Sequence, residues 1–244
     1  MATLIFSDVH ADAPALLKMI ALVKDPAFQS YFGEVEGAVN LGDLLGRGYA
    51  PMDTLRGVRD LRQEMPVVSI LGNHDHAFLH DIPVSGSDVA SLAAHRALEG
   101  SPLLEEVRDL PEEWVLDATL FVHGGPIRPG NALTDRPFWQ RLSHRPGPSF
   151  SGYHYTPEMA FAELERRGLS HLCCGHQHVP LCCQRHKEEV VPRPLTFTPM
   201  PAFPLRGALV ELDAPTILRV GACRGAHPEF AVTDFVRFWF LQVW

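Results

Sequence analysis

The sequence predicts a mixed α/β domain, and three observations carry the prediction. Strand-like apolar runs alternate with helical stripes over the first 75 residues, the order that lays helices on a sheet. Strand-like runs dominate again after residue 180. Five apolar runs stop abruptly on aspartate, asparagine or histidine.

The chain has 244 residues, 46% of them hydrophobic, enough for a sizeable core. One domain over residues 1–244 is expected. A formal charge of −8 disfavours non-specific binding to nucleic acid or anionic membrane. No apolar stretch approaches the roughly 18 residues of a membrane span. The N-terminus enters a strand with no basic region and cleavable apolar core, so a cytoplasmic location is expected. Five cysteines (Cys173, Cys174, Cys182, Cys183 and Cys223) are an odd number, and adjacent pairs make poor disulfides. The two pairs are read as buried apolar packing. A zinc site is the weaker reading, since seven residues between pairs is not the usual ligand spacing.

Thr3-Leu4-Ile5-Phe6 is an apolar run that Ser7-Asp8-Val9-His10 follows. Asp8 and His10 are two apart, so an extended backbone turns both to one face. Asp12 is placed as an N-cap with Pro14 in the first helical turn. Leu16, Leu17, Ile20 and Val23 then form an apolar stripe to about Lys24. Gly37 to Leu41 is a second strand, closed by Gly42-Asp43. A turn through Gly46, Gly48 and Pro51 leads to a helix near Met52 to Glu64. Val67-Val68-Ser69-Ile70 is a buried strand, closed by Leu71-Gly72-Asn73-His74-Asp75. Gly72 lets the backbone turn sharply or approach a bound group.

Residues 76–110 read as helices and turns, with Val89, Leu92, Ala93, Ala97 and Leu98 as one apolar face. Trp114 to Leu116 and Thr119 to Val122 read as paired strands turning at Asp117-Ala118, the second ending at His123. Residues 124–155 hold five prolines and five glycines among Arg128, Arg136, Arg141 and Arg145. This is a long irregular excursion, a kind of loop that is usually functional or disordered. Thr156 N-caps a helix from Pro157 to Arg167, and Gly168 ends it. Leu169 to Cys174 is a strand closed by Gly175-His176-Gln177-His178. Strands follow near 180–185, 188–192, 206–212 and 216–223, and the aromatic tail Phe230 to Trp244 is assigned to the core.

Ligands of open α/β sheets bind beyond the carboxyl ends of strands. Asp8, His10, Asp43, Asn73, His74, His123, His176 and His178 therefore converge, although distant in sequence. Singly, Asp8, Asp43 and Asn73 are ordinary cap or turn residues; five blocks at strand ends favour a site. Carboxylate, amide and imidazole without thiolate suit manganese, iron, zinc, cobalt or nickel. Seven ligands exceed one closed tetrahedral ion and fit two ions about 3.5–4 Å apart sharing a carboxylate.

Asp-x-His, Gly-Asp, Gly-Asn-His-Asp, a lone histidine and Gly-His-x-His occur in this order over residues 8–178. The set resembles the calcineurin-like metallophosphoesterase superfamily. The resemblance implies an αββα sandwich, two mixed sheets face to face with helices outside. It implies that Asp8, His10 and His178 hold one ion, that Asn73, His123 and His176 hold the other, and that Asp43 bridges. Two divalent ions, manganese foremost, would turn a water between them into hydroxide that attacks phosphorus. His74 would stand beside the scissile phosphate, so His74, Asp43 and Asp75 are the implied catalytic residues. Arg47 and Arg128, each shortly after a ligand, are read as phosphate clamps or as exposed arginines. Arg128, Tyr153, His154 and Tyr155 are candidates for a substrate-facing rim within 124–155, a stretch read equally as a plain surface loop. His76, His80, His95, His144, His154, His171, His186 and His227 match no block and are read as surface or satisfied histidines.

Gly42-Asp43-Leu44-Leu45-Gly46-Arg47-Gly48 is similar to a block of phosphoprotein phosphatases and symmetrical diadenosine tetraphosphatases. The serine/threonine phosphatases carry Asp at the position of Gly46, Arg at that of Leu71 and Glu at that of Asp75. The opening and closing blocks are more similar to small bacterial and archaeal phosphodiesterase-type members, with Ala11 where those carry Gly. The expected activity is hydrolysis of a phosphomonoester or phosphodiester. Phosphoprotein, dinucleoside polyphosphate and a non-catalytic metal-binding scaffold are the alternatives.

Overall fold

The computed structural model describes residues 1–128, 136–149 and 152–244. In chain order come β1 (Ala2–Phe6), α1 (Ala13–Val23), α2 (Pro26–Phe32), β2 (Val35–Asn40), α3 (Pro51–Glu64) and β3 (Val67–Ser69). Then follow α4 (Asn73–Leu79), α5 (Val89–Arg96), α6 (Pro102–Arg108), β4 (Glu113–Leu116) and β5 (Thr119–Val122). A short 3-10 turn at Pro137–Trp139 precedes β6 (Arg141–Leu142), β7 (Gly147–Ser149), β8 (Gly152–Tyr155), α7 (Pro157–Arg166) and β9 (His171–Cys174). The last strands are β10 (Leu181–His186), β11 (Glu189–Pro192), β12 (Thr198–Met200), β13 (Leu205–Glu211), β14 (Thr216–Arg219), β15 (Glu229–Thr233) and β16 (Arg237–Val243).

Two large mixed sheets form among the described residues. One runs β12-β13-β16-β15-β1-β2-β3, the other β11-β10-β14-β9-β5-β4. β1, β2 and β3 are mutually parallel in the first, and β5, β9 and β14 in the second. Each of β1, β2, β3, β5 and β9 is followed by one of the polar blocks, so parallel strands deliver all five to one edge of the sandwich.

Three apolar clusters separate four layers. Leu16, Met19, Phe28, Leu55 and Val107 from the helices pack on Leu4, Phe6 and Phe230 of the first sheet. Ile5, Val39, Phe121, Cys173, Leu218 and Phe240 fill the space between the sheets. Leu120, Leu172 and Ile217 of the second sheet meet Phe161 and Leu164 of α7. The chain therefore folds as an αββα sandwich. Alternation along strands sorts the cysteines: Cys173 and Cys182 face the inter-sheet space, Cys174 and Cys183 face α7. All five are buried and free. The aromatic tail forms β15 and β16 of the first sheet, with Trp239 towards the helices and Phe238 and Phe240 inward.

Local signals account for the helix starts. The Asp12 carboxylate accepts from Ala15 N at 3.2 Å, and Thr156 Oγ1 from Met159 N at 3.4 Å. Asp25-Pro26 opens α2 in the same way, with Ala27 N donating to Asp25 at 2.8 Å. The sequence reading passed over that helix, and β2 begins at Val35 rather than Gly37. The predicted apolar face of α5 is buried only at Leu98, just past the end of the helix. Val89 is 84% exposed and Leu92 52%, while Ser91 and His95 are buried. His95 is held inward by two hydrogen bonds, to the Ser91 carbonyl and the Gly46 N–H, which fix the rotation of the helix. Part of the 124–155 excursion is regular: β6, β8 and β7 form a small sheet of their own.

Candidate metal centre

The blocks after β1, β2 and β9 pass through left-handed residues. Asp8, His10, Asp43, His176 and His178 all have φ between 51° and 67°, a region costly for side chains other than glycine. Such conformations persist where surrounding structure enforces them, and they gather at functional sites. Gly72 enforces one here: its Cα lies so close to Asp43 that a Cβ would overlap that backbone.

Hydrogen bonds then aim the ligand atoms. Asp8 Oδ2 accepts from Ser7 Oγ at 2.6 Å and His176 N at 2.9 Å, which leaves Oδ1 for the centre. Asp43 Oδ1 accepts from His74 N at 2.8 Å, which leaves Oδ2. His10 Nδ1 pairs with the Leu45 carbonyl at 3.2 Å, and His123 Nδ1 with that of Leu41 at 2.8 Å. A carbonyl only accepts, so each Nδ1 carries a proton and each Nε2 is the nitrogen turned to the centre.

Those atoms converge. His178 Nε2 is 3.1 Å from Asp8 Oδ1 and 3.0 Å from His10 Nε2. Asp43 Oδ2 is 3.7 Å from His10 Nε2 and 3.4 Å from His123 Nε2. Asn73 Oδ1 is 3.0 Å from His123 Nε2. Asp8, His10 and His178 form one group, Asp43, His123 and His176 another, and His10, Asp43 and His74 a third, with ligand atoms inside each lying within 4.8 Å of one another. Asp8 Oδ1 and His176 Nε2 are buried without a hydrogen-bond partner. Unpartnered buried acceptors aimed at one point fit a cation.

The charge balance agrees. Burial pushes Asp8 and Asp43 up, but His178 and His123 beside Asp8, and His123 beside Asp43, hold both below the usual carboxylate range. Burial pushes His123 down, yet the Asp43 charge and hydrogen bond lift it to about 9. Burial brings His10 to about 3 and His74 to about 4, and puts His176 well below its ordinary value. Without a metal, the carboxylates thus retain a proton on His123, the positive charge that a dication would replace.

The family model for calcineurin-like phosphoesterases matches residues 1–180. The chain belongs to this family. The family uses divalent metal ions, and the chain is a metal-dependent phosphoric ester hydrolase. Among solved structures, a metallophosphoesterase from Sphaerobacter thermophilus is 23% identical over 100% of this chain and 89% of its own, with a TM-score of 0.69. A hypothetical protein from Pyrococcus horikoshii OT3 is 15% identical over 99% and 87%, at 0.65. A structure described as a putative diadenosine tetraphosphatase is 15% identical over 100% and 94%, at 0.54. At these identities the likeness is one of fold. No curated protein sequence matches.

The other candidate residues separate in this calcineurin-like chain. Asp75 is fully buried and turned away from the centre. Its carboxylate accepts from Asp43 N at 2.8 Å, Leu45 N at 2.9 Å and Gly72 N at 3.1 Å. It joins the Asp43 loop to the Asn73 loop, so the reading of Asp75 as a catalytic residue is corrected to a positioning one. Burial and the nearby Asp43 raise it to about 7.

Arg47 lies within the field of Asp43 and Asp8, half-buried, with Nε unpartnered. Arg128 does not join it: its guanidinium pairs with Glu112 at 3.0 Å and Glu113 at 3.4 Å. Tyr153 packs against the α7-facing cluster, and His154 Nε2 lies 3.0 Å from Ser149 Oγ. Sequence reasoning missed Arg141 and Gln177. The Gln177 amide brackets Leu142, accepting its N–H at 2.8 Å and donating to its carbonyl at 3.1 Å. That clamp brings β6 and Arg141 beside the centre, where Arg141 acts on His176. The only available signal for Gln177 was its place between the two histidines of the last block.

Proposed function

We propose that the chain hydrolyses a phosphomonoester or phosphodiester at a pair of divalent ions, manganese foremost, held by Asp8, His10, His178, Asn73, His123, His176 and a bridging Asp43. The observation that carries this reading is the place of Asp43 Oδ2, between His10 Nε2 and His123 Nε2 of separate ligand groups. Two such ions, when bound, supply charge for phosphate oxygens and lower the pKa of water.

The residues of the chain do the rest. Arg47 and Arg141 offer guanidinium donors to phosphate oxygens. His74 offers a ring nitrogen beside the leaving oxygen and stabilises the charge that develops there. A water oxygen bonds to phosphorus, the bond from phosphorus to the alcohol oxygen breaks, and that oxygen leaves with a proton as the free alcohol. Asp75 keeps the Asp43 and Asn73 loops in register throughout.

The test is elemental analysis of the purified protein together with a manganese-supplemented screen of phosphomonoesters, phosphodiesters, dinucleoside polyphosphates and phosphopeptides. Bound metal with turnover of a monoester or diester is expected. Bound metal with no turnover of any ester would favour the scaffold reading instead.

A further inference from the structure

A second concavity opens on the flank of the centre, where α4, the 80–87 turn and α5 meet. Its volume is about 830 Å³. One wall is His74 with Gly46, and another is apolar: Phe78, Ile82, Val84 and Leu92. The lining also carries Asp81, Arg96, Glu99 and Arg108, two charges of each sign. Two features of these walls call for an occupant. Leu92 is 52% exposed on a helix that turns polar Ser91 and His95 inward, so its apolar surface is left to the cavity. His74 is 3% exposed and its Nδ1 meets no hydrogen-bond partner.

We propose that this cavity receives the organic part of the ester, and that this part is a ring-bearing alcohol of about nucleoside size. The proposal rests on the phosphoesterase reading above. His74 links the two spaces: it walls the cavity, and a ring nitrogen of His74 lies within 4.8 Å of the ligand atoms of His10 and Asp43. An ester whose phosphate sits on the centre and whose leaving oxygen faces His74 sends its alcohol into this space. The volume falls within the roughly 300–1,000 Å³ of pockets that enclose small organic molecules. A ring system covers the four apolar side chains at once. The single serine of a phosphoprotein would leave them bare.

The test compares a naphthyl with an ethyl ester of whichever phosphate class is turned over, in the manganese-loaded protein. Leu92→Trp and Val84→Trp narrow the cavity from positions that are not part of the core. The ratio of kcat/KM, naphthyl over ethyl, is expected to fall about tenfold or more in both variants at unchanged metal content. A ratio equal to that of the wild type in both variants overturns the proposal. A second measurement needs no turnover: calorimetric titration of the metal-free protein with adenosine or 2-naphthol. Saturable binding that Leu92→Trp abolishes is expected, and no saturable binding of either overturns the cavity assignment even where esters are hydrolysed. Saturable ring binding with no hydrolysis of any ester keeps the ring site and defeats the phosphoesterase reading and, with it, the role of the ring as a leaving group.

Discussion

Gly46 packs so tightly against His74 that a Cβ at position 46 would overlap the His74 ring at Nδ1. The serine/threonine phosphatases, which the chain resembles in this block, carry an aspartate there; here the Gly46 backbone and the His10 ring, edge-on at 4.7 Å, confine the imidazole. Gly46 has φ +84°, a conformation that disfavours a side chain independently of the overlap. Gly46→Ala should push the ring aside, and a displacement near 1 Å at a reacting group costs about 10²-fold in rate. Steady-state kinetics should show the loss in kcat, with manganese content retained by elemental analysis. Full turnover in Gly46→Ala would mean that the ring position is set elsewhere.

His95 holds Gly46 in place. The Gly46 N–H donates to His95 Nε2 at 2.8 Å, and His95 Nδ1 donates to the Ser91 carbonyl at 2.8 Å. Burial keeps the imidazole below its ordinary pKa, in the neutral form that this pair of bonds requires. His95→Phe strands a buried N–H and should lower stability by about 1–3 kcal/mol. It should also lower kcat while KM holds, because it acts on His74 through Gly46. His95→Gln keeps an acceptor and should recover part of both. Urea melts and kinetics on the two variants decide; equal kcat in His95→Phe and wild type would leave His95 a purely structural role.

The groups that could hold a metal ion were legible because each is a local event. An apolar run ends, a ligand follows, and parallel strands gather such ends without further information. The Asp12 and Thr156 caps were legible for the same reason. What escaped depends on contacts between distant segments. Asp75 adjoins His74 in sequence, yet its carboxylate turns to backbone N–H groups on two loops. Arg141 is brought beside the centre by contacts of β6 with distant segments, the Gln177 clamp 35 residues away and the pairing with β8. The face of α5 misled because polar His95 found buried partners, which no hydrophobic pattern records.

Glu229 makes stability depend on pH away from the centre. Burial lifts its carboxyl from 4.5 to about 7, although the amide of Gln242 donates to it at 3.1 Å. The folded state therefore retains a proton that the unfolded chain releases as pH rises. The stability tied to this group is fully present below about pH 4.5 and lost as pH climbs through about 7. Glu229→Gln removes the titration and should stabilise the protein by about 1–2 kcal/mol at pH 8, with little change at pH 4. Paired urea melts at the two pH values measure this. An equal effect at both would show that packing, not ionisation, governs the site.

Asp43 and His74 are joined by one hydrogen bond, yet their removal should have opposite effects on metal. Asp43→Asn keeps the shape and the acceptor that meets His74 N. It removes the negative charge lying 3.7 Å from His10 Nε2 and 3.4 Å from His123 Nε2. Metal content should fall, and activity with it. His74→Ala should retain metal and lose about 10²–10⁴ in turnover, the range of a single group that stabilises or protonates a leaving oxygen. Elemental analysis beside kinetics separates the two. Loss of metal in His74→Ala would make His74 a ligand, the alternative left open by its closeness to the ligand atoms of His10 and Asp43. Unchanged turnover would remove it from the mechanism altogether.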